Sequence, residues 1–557
     1  MSQDHLDRRG ILTGLAALGL GTAAFQRSIA AQVQAKPTAD ITPEMIAQAE
    51  WIAGITLTED DRATVAKAMT RTVKELAATR KLPMPNSLAP AFVFDPALGV
   101  PAPRNGPGTF APPKVAAPAR PEDDGELAFL DIASLAAMLR AKTLSSVELT
   151  KLCLIRLKKY DPTLKCVVTF TDDLALKQAA KADEELAAGK DRGLLHGIPY
   201  GAKDLMSVPG YPTTWGAEHY KAQQFDTPAT AVVKLQDAGA VLAAKLTLGA
   251  LALGDVWFGG TTRNPWNTKQ GSSGSSAGSC SAVAAGLLPF AIGSETLGSI
   301  ISPSTRCGTT GLRPTFGRIS RAGCMTLCWT MDKLGPITRS ATDAAIVFRA
   351  LLGADEADPA TVSTMDYAFN WPSGKKPADF TVGYVETATK LEDRAELAVL
   401  QKLGVKLVAI KLPTLLAGRI VGTILNVECA AAFDELPRAG VRDGYGTAWR
   451  STFQEGQFVP AVEYLRANRL RTQLCKEMQA VMKTVDVYVG GNDLAITNLT
   501  GHPSICMPSG WNKTAAGQTP KAITFTGRLF DESTLLELAA AYQSATDFHL
   551  QHPKLDG

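Results

Sequence analysis

Apolar positions along the chain change period several times, and each change marks a different kind of element. Over residues 35–82 they recur at helical spacing. Thr42 ahead of Pro43-Glu44-Met45 starts one helix with a cap-like residue, and Thr58 ahead of Glu59-Asp60-Asp61 starts another that runs to about residue 78. Residues 83–125 hold eleven prolines and almost no apolar periodicity, which predicts a linker, ordered on a surface or flexible, that wraps the larger part of the chain. Residues 126–557 read as a folded domain. Amphipathic helices are expected over 132–142 and 145–160, the second capped by Ser145 or Ser146 before Glu148. A strand is expected over 167–171, a helix over 174–188, a helix over 232–238 stopped by Gly239, and a strand over 241–244. Such alternation predicts an α/β fold with a largely parallel sheet, preceded by an N-terminal helical region over 32–82. Further helices are expected over 394–403 and 418–436.

The first 31 residues have a different character. Arg8-Arg9 precede an apolar run over 11–25, and Ser28-Ile29-Ala30 offers small residues for cleavage. The pattern D-R-R-G-I-L-T is similar to a twin-arginine export signal, so a periplasmic or secreted protein is expected. The alternative is an uncleaved anchor, for which 15 apolar residues are short. No later apolar run is as long, so no stable membrane insertion of the mature chain is expected. A net charge of +3 with 20% charged residues describes an ordinary globular surface, and no basic block or aromatic-basic repeat suggests nucleic acid. The nine cysteines are odd in number and dispersed, which argues against a disulfide framework. Cys280, Cys307 and Cys506 read as small core residues, while Cys324 and Cys328 could pair or hold a soft metal. No histidine pair has metal-ligand spacing, so no metal and no cofactor are expected.

The chemistry concentrates between Gly271 and Gly311, where ten serines stand among small residues around an apolar run at 287–292. A small-residue helix is expected over 282–287 and a buried strand over 289–292, with serines at the turns. Small residues allow close backbone approach to a reacting group, and exposed N–H groups at such turns stabilise an anion. Upstream, Gly197-Ile-Pro-Tyr-Gly-Ala-Lys203-Asp204 places one lysine in a nearly neutral Gly/Pro-rich turn. A lysine among apolar groups loses hydration of its charged form and becomes a base. Serine needs such a base, because its hydroxyl is a poor nucleophile at neutral pH.

Together these stretches resemble the amidase signature family. The quoted residues are the block Gly197 to Asp204, then Gly274-Ser275-Ser276-Ala277-Gly278-Ser279, then Gly293-Ser294-Glu295-Thr296-Leu297-Gly298-Ser299-Ile300, then Cys307-Gly308-Thr309-Thr310-Gly311-Leu312-Arg313-Pro314. The likeness extends over about 127–553. It implies a large mixed, mostly parallel sheet covered by helices on both faces, and a hydrolase that cleaves amide C–N bonds through an acyl-enzyme. Carried over position by position, it makes Lys203 the base, Ser275 the bridging serine and Ser299 the nucleophile. Backbone N–H groups of Thr296, Leu297, Gly298 and Ser299 would form the oxyanion hole, with Ser276 and Asp204 in support. A cis peptide is expected at Gly274–Ser275.

Three departures bear on substrate. Glu295 replaces the family's aspartate, Leu297 a glycine, and Ile301 an arginine able to meet a substrate carboxylate. Losing that cation favours neutral, apolar or aryl acyl groups; esters, anilides and carbamates are also expected substrates. Residues 353–480 match least, and in the family this region shapes the substrate entrance. Trp257, Leu297, Ile301, Trp329 and Met331 are the expected pocket residues. Partners would be a small amide and water, in a monomer or homodimer. Rival readings are the glutaminase subunit of a tRNA amidotransferase and an inactive secreted binding protein of the same fold. A third takes Gly274 to Gly278 as G-x-S-x-G with Ser276 as nucleophile; that elbow must follow a strand, and 264–270 reads as polar and turn-like.

Overall fold

The fold comes from a computed structural model that describes residues 40–79, 81–82, 85–112, 114–387, 391–514 and 517–555. The expected export segment lies outside the described residues. The chain divides into two compact units, 1–85 and 86–557. In the first, the Thr42 side chain accepts the Met45 N–H (3.4 Å) at the start of α1 (Pro43–Ala53), and Gly54 at φ 65° ends it. The Thr58 hydroxyl does the same for Asp61 (3.2 Å) ahead of α2 (Glu59–Thr79), and Arg62 grips Glu50 of α1 at 2.6 and 3.0 Å.

The second unit begins well ahead of residue 126. Asn86 donates to the carbonyls of Thr326 (2.9 Å) and Ala432 (3.2 Å) and accepts the Thr326 N–H (2.7 Å). Phe94 meets Phe316 edge-on at 5.3 Å, and Phe110 stacks on Trp371 at 6.0 Å. The proline-rich stretch is therefore anchored by its few aromatic and amide side chains.

The rest of the unit runs α3 (Ile132–Ala141), α4 (Ser146–Leu164), β1 (Val167–Phe170), α5 (Asp172–Ala187), β2 (Pro199–Lys203), α6 (Thr230–Asp237) and β3 (Val241–Leu246). Ser145 and Glu148 form a reciprocal capping box on α4. Two small hairpins come next, β4 (Val256–Trp257) with β5 (Gly260–Thr261) and β6 (Arg263–Asn264) with β7 (Asn267–Gly271), then α7 (Ala277–Ala284), β8 (Phe290–Glu295), α8 (Ile301–Cys307), β9 (Thr310–Arg313), β10 (Lys333–Thr338) and α9 (Ala341–Leu351). The chain continues with β11 (Thr381–Val385), β12 (Lys406–Ile410), α10 (Ala417–Ala432), α11 (Ala461–Met482), β13 (Val487–Gly490), β14 (Ser504–Thr514), β15 (Gly517–Gly527) and α12 (Glu532–Ser544).

Eleven strands form one mixed sheet in the order β1-β3-β2-β8-β10-β9-β14-β15-β13-β11-β12. The expected excess of parallel pairing does not hold. Parallel strands are confined to β3-β2-β8 and β13-β11-β12, and the pairs between them, as well as β1 with β3, are antiparallel. Parallel neighbours need a crossover, which α6, α7, the helix over Ala395–Lys402 and α10–α11 provide at the two ends; only two residues separate β14 from β15, too few for a crossover, and that pair runs antiparallel.

Two local expectations need correction. The lysine block is a strand, β2, rather than a turn: it is buried throughout and pairs in parallel with β3 and β8, so its backbone groups are satisfied by neighbours. The small-residue helix occupies Ala277–Ala284, five residues before the expected start, and every residue in it is buried. A helix without a polar face has no amphipathic period to betray its limits. It stops ahead of Gly286 (φ 63°), where a Cβ would strike the Phe129 ring at 2.5 Å.

Candidate active site

Lys203 closes β2 with its side chain wholly buried. Register places it beside Leu246 of β3, and its side chain reaches the start of α7. Its Nζ donates to Ser275 Oγ (2.7 Å), Ser294 Oγ (2.8 Å), Ser276 Oγ (3.2 Å) and the Ser294 carbonyl (3.3 Å). These partners are neutral. Burial pushes the Lys203 pKa down to about 7, with Cys280, Asp332 and Glu295 opposing it from further away. In the neutral amine the 2.7 Å contact reverses, the Ser275 hydroxyl donating to the Nζ lone pair. Buried Lys333 is also held at about 7, by burial and by Arg313, but its Nζ donates to the Met331 carbonyl and reaches no serine among the described residues.

Asp204, the next residue, points elsewhere. Its carboxylate pairs with Lys245 of β3 (2.7 Å) and accepts the N–H (2.9 Å) and hydroxyl (2.5 Å) of Thr214. It stiffens the end of β2 without touching the serines.

The Ser275 position is built from compact backbone. Ser273 takes φ 61° and the Gly274–Ser275 peptide is cis, as expected. A Cβ at Gly274 would lie 1.9 Å from the Gly254 carbonyl, so a side chain there has no room. Asp255 accepts the Ser273 N–H at 2.8 Å and fastens the loop from the other side. Ser276 is the residue just ahead of α7, and its hydroxyl bonds the N–H and the carbonyl of Ser294, both at 3.1 Å. That double tie occupies the hydroxyl and leaves it poorly placed to attack. The preceding segment, expected as a turn, is the short strand β7, but it belongs to a two-stranded hairpin rather than to the main sheet.

Ser299 lies in the turn from β8 into α8, 9% exposed, and its carbonyl accepts the Ser276 N–H at 3.0 Å, which joins the two serine segments. Among the described residues its hydroxyl has no hydrogen-bond partner, and the backbone N–H groups of Thr296, Leu297, Gly298 and Ser299 have no acceptor. Gly298 has φ 85°, a left-handed conformation of the kind found in anion-binding turns. Leu297, 37% exposed, is directed outward, which settles how a side chain fits in that turn.

Glu295 explains its own departure from the family pattern. One carboxylate oxygen accepts the N–H groups of Ile300 (2.9 Å) and Ile301 (3.0 Å); the other takes Arg313 (2.6 Å) and Asn498 (2.9 Å). Burial would raise its pKa, but Arg313 and these donors outweigh that and hold it at about 2. It is a fixed anion that pins the far end of the turn that carries Ser299.

The expected pocket residues separate. Trp257 lines a cavity of about 400 Å³ with Leu253, Val256, Phe258, Tyr445 and Glu218. Leu253 adjoins Gly254, whose carbonyl packs on Gly274, so this cavity lies beside the bridging loop. Trp329 is half-buried. Ile301 is 3% exposed, and Met331 packs wholly buried against Ile420, Val421 and Leu499, both more enclosed than pocket walls need to be. A cavity of about 590 Å³ is lined by Tyr367, His502, Arg528 and Phe530 and includes none of the candidate catalytic residues.

Two participants escaped sequence reasoning. Ser294 reaches Lys203 through both its hydroxyl and its carbonyl; its place one residue after Gly293 on β8 is the signal that could have found it. Asp332 accepts the Thr296 hydroxyl at 2.5 Å, and only its position in Met331-Asp-Lys-Leu-Gly-Pro336 hints at that.

A family model described as Amidase matches residues 148–490. The chain is 31% identical over 489 residues to a glutamyl-tRNA(Gln) amidotransferase subunit of Chloroflexus aurantiacus (strain ATCC 29366 / DSM 635 / J-10-fl), an alignment that covers 77% of this chain and 99% of that protein. Among solved structures, the native peptide amidase from Stenotrophomonas maltophilia superposes with a TM-score of 0.68 at 29% identity, covering 77% of this chain and 99% of that one. A peptide amidase in complex with the competitive inhibitor chymostatin gives the same TM-score, 0.68, at 29% identity over 76% of this chain and 99% of that one. The chain belongs to the amidase signature family and is a hydrolase acting on amide C–N bonds.

Proposed function

We propose that Ser299, Ser275 and Lys203 carry out the hydrolysis as a relay through an acyl-enzyme. The observation that carries this reading is the buried 2.7 Å contact between Lys203 and Ser275, with no anion bonded to the amine among the described residues. Neutral Lys203 takes the Ser275 proton while Ser275 takes that of Ser299, and Ser299 Oγ adds to the amide carbon. Four free N–H groups, Thr296 to Ser299, face the developing oxyanion, where one well-aimed donor is worth about 3 kcal/mol. Returning the proton through Ser275 to the leaving nitrogen breaks the C–N bond; water, deprotonated by the same path, then releases the acid.

For the substrate we favour neutral amides with an apolar or aryl acyl group, with esters, anilides and carbamates as further candidates. Supporting this is the aromatic cavity of Trp257, Phe258 and Tyr445 beside the bridging loop. The buried Trp257 Nε1–H has no acceptor among the described residues and could serve a substrate carbonyl. Export by the twin-arginine route to the periplasm or beyond completes the reading, on the strength of Arg8-Arg9 and the apolar run behind them.

The likeness to a tRNA amidotransferase supports a second reading, a glutaminase that supplies ammonia to a partner. Against it stand the leader and the roughly one quarter of this chain that lies outside that alignment. The test is turnover of acetyl and benzoyl 4-nitroanilides, 4-nitrophenyl esters, aryl carbamates and glutamine, with Ser299→Ala and Lys203→Ala alongside. Anilide or ester turnover lost in both variants supports the first reading. Glutamine as sole substrate would favour the second, and activity surviving in Ser299→Ala would refute the relay.

A further inference from the structure

We propose that Asp332 is a positioning residue for hydrolysis, holding the near end of the oxyanion turn through Thr296 and itself held by Glu428 and Arg471. The proposal rests on the reading of residues 296–299 as the oxyanion hole.

The turn is fastened unequally at its two ends. At the Ser299 end, Glu295 grips the N–H groups of Ile300 and Ile301, and the Ser299 carbonyl takes Ser276. Gly298 is tied by the Ser302 N–H on its carbonyl (2.7 Å). At the Thr296 end, the side-chain bond among the described residues is the Thr296 hydroxyl to Asp332 Oδ1 at 2.5 Å. The aim of the first N–H groups of the turn therefore depends on where Asp332 sits.

Asp332 is fixed in turn by a closed loop. Its Oδ2 accepts the N–H groups of Leu327 (2.8 Å) and Cys328 (2.9 Å), and its own N–H donates to the Cys328 carbonyl (2.9 Å). Arg321 closes the outside, donating to the carbonyls of Trp329 (2.6 Å) and Asp332 (3.4 Å) while pairing with Asp358. This loop is then clamped from the helical region. Glu428 of α10 accepts Cys328 Sγ–H (3.0 Å), the N–H (3.0 Å) and hydroxyl (2.7 Å) of Thr330, and Tyr464 Oη–H (2.9 Å). Arg471 of α11 donates to Thr330 Oγ1 (2.9 Å), the Thr330 carbonyl (2.8 Å) and the Leu499 carbonyl (2.6 Å), with its guanidinium 3.4 Å above the Phe94 ring.

Both clamps are buried, Glu428 at 3% and Arg471 at 2% exposure, and they come from different helices. Two buried charges converging on one threonine, two residues from Asp332, is more restraint than a loop needs merely to be ordered. A continuous hydrogen-bonded path thus runs from Glu428 of α10 through Cys328 and Asp332 to Thr296, and Arg471 of α11 joins it through Thr330, which bonds both Arg471 and Glu428. It gives the part of the chain least like the family motifs a direct hold on the oxyanion turn.

The test compares Thr296→Val, which keeps shape and removes the hydroxyl, with Thr296→Ser, which restores it, and with Asp332→Asn and Glu428→Gln. The probe is the 4-nitroanilide or 4-nitrophenyl ester that wild type turns over in a Ser299-dependent way, with fluorophosphonate labelling of Ser299 in parallel. A misaimed oxyanion turn acts on the transition state, so kcat and the labelling rate should fall by about 100-fold in Thr296→Val and Asp332→Asn while KM stays within about twofold. Thr296→Ser should recover most of the loss, and Glu428→Gln should lose about tenfold in kcat. A merely structural bond would lower the melting temperature and leave kcat of the folded fraction unchanged; that result in Thr296→Val overturns the proposal, even if Asp332→Asn does not fold. Absence of any Ser299-dependent turnover would instead sink the reading on which it rests.

Discussion

Two lysines on adjacent strands, equally buried, meet opposite kinds of partner. Lys203 on β2 and Lys245 on β3 are both wholly buried, and register puts Lys245 opposite Ala202, so their side chains leave opposite faces of the sheet. Burial lowers the pKa of each. On one face Lys245 meets the Asp204 carboxylate at 2.7 Å and is further held by the Thr213 hydroxyl (2.6 Å) and the Pro212 carbonyl (2.5 Å). On the other, Lys203 meets three serine hydroxyls and one carbonyl. The charged partner favours the ammonium at Lys245. Hydroxyls stabilise it far less, and Lys203 is left near 7, where it can hand a proton back and forth.

Exchanging each lysine for methionine should give opposite results. Lys203→Met is expected to lower kcat/KM by about 10³-fold or more, since the relay then has no terminal base. Stability should not fall with it. The unfolded chain holds a proton on this lysine up to about pH 10.5 and the folded one only to about 7, so wild-type stability rises with pH across that window. Removing the group therefore raises the thermal midpoint at pH 7, and the gain shrinks towards pH 10. Lys245→Met strands the Asp204 carboxylate in the core and should cost about 3–5 kcal/mol of folding free energy, measured by denaturant unfolding. Loss of activity in both variants with equal destabilisation would erase the distinction.

Giving Lys203 the partner that Lys245 has should blunt it as a base. The kcat/KM of wild type is expected to rise with pH along a limb near 7, because the protonated amine cannot accept the Ser275 proton. Ser294→Asp places a carboxylate where a hydroxyl now lies 2.8 Å from Nζ. An opposite charge at that range raises a lysine pKa by about one unit or more. The limb should move to higher pH, with kcat/KM at pH 7 reduced about tenfold and the plateau at high pH partly retained. A limb that stays in place would mean that the titrating group is not Lys203.

How much of this was visible in the chain itself depends on the kind of signal. The serine and lysine blocks announce themselves because their chemistry needs small residues and one cation in an apolar setting, and those leave marks at the residues themselves. Helices with a wet face, such as α1 and α4, and their caps Thr42 and Ser145 are readable for the same reason. The pairing sense of the strands is not, because pairs such as β8 with β10 and β9 with β14 are set by which strand lies beside which across long separations. Neither is α7, buried on all sides. Ser294 and Asp332 were missed because each works through a partner distant in sequence, Lys203 and Thr296. Met331 and Ile301 were misplaced because an apolar side chain next to a site motif looks the same whether it faces a ligand or a core.

The smallest effect should come from Ser276, and it bears on the same comparison because Ser276 is one of the hydroxyls around Lys203. Its oxygen lies 3.2 Å from Nζ and is already engaged twice by the Ser294 backbone. Ser276→Ala removes a neutral hydrogen-bond partner of the lysine but neither its burial nor its contact with Ser275. The buried Ser294 N–H and carbonyl would lose a partner, at a cost of about 1–2 kcal/mol. In kinetics this is expected to appear as a fall in kcat of less than about tenfold, with the acid limb unmoved and fluorophosphonate still labelling Ser299. Were Ser276 the nucleophile of a G-x-S-x-G elbow, the same substitution would abolish labelling altogether. The two accounts therefore differ by orders of magnitude at one hydroxyl, and peptide mapping of the labelled serine decides between them.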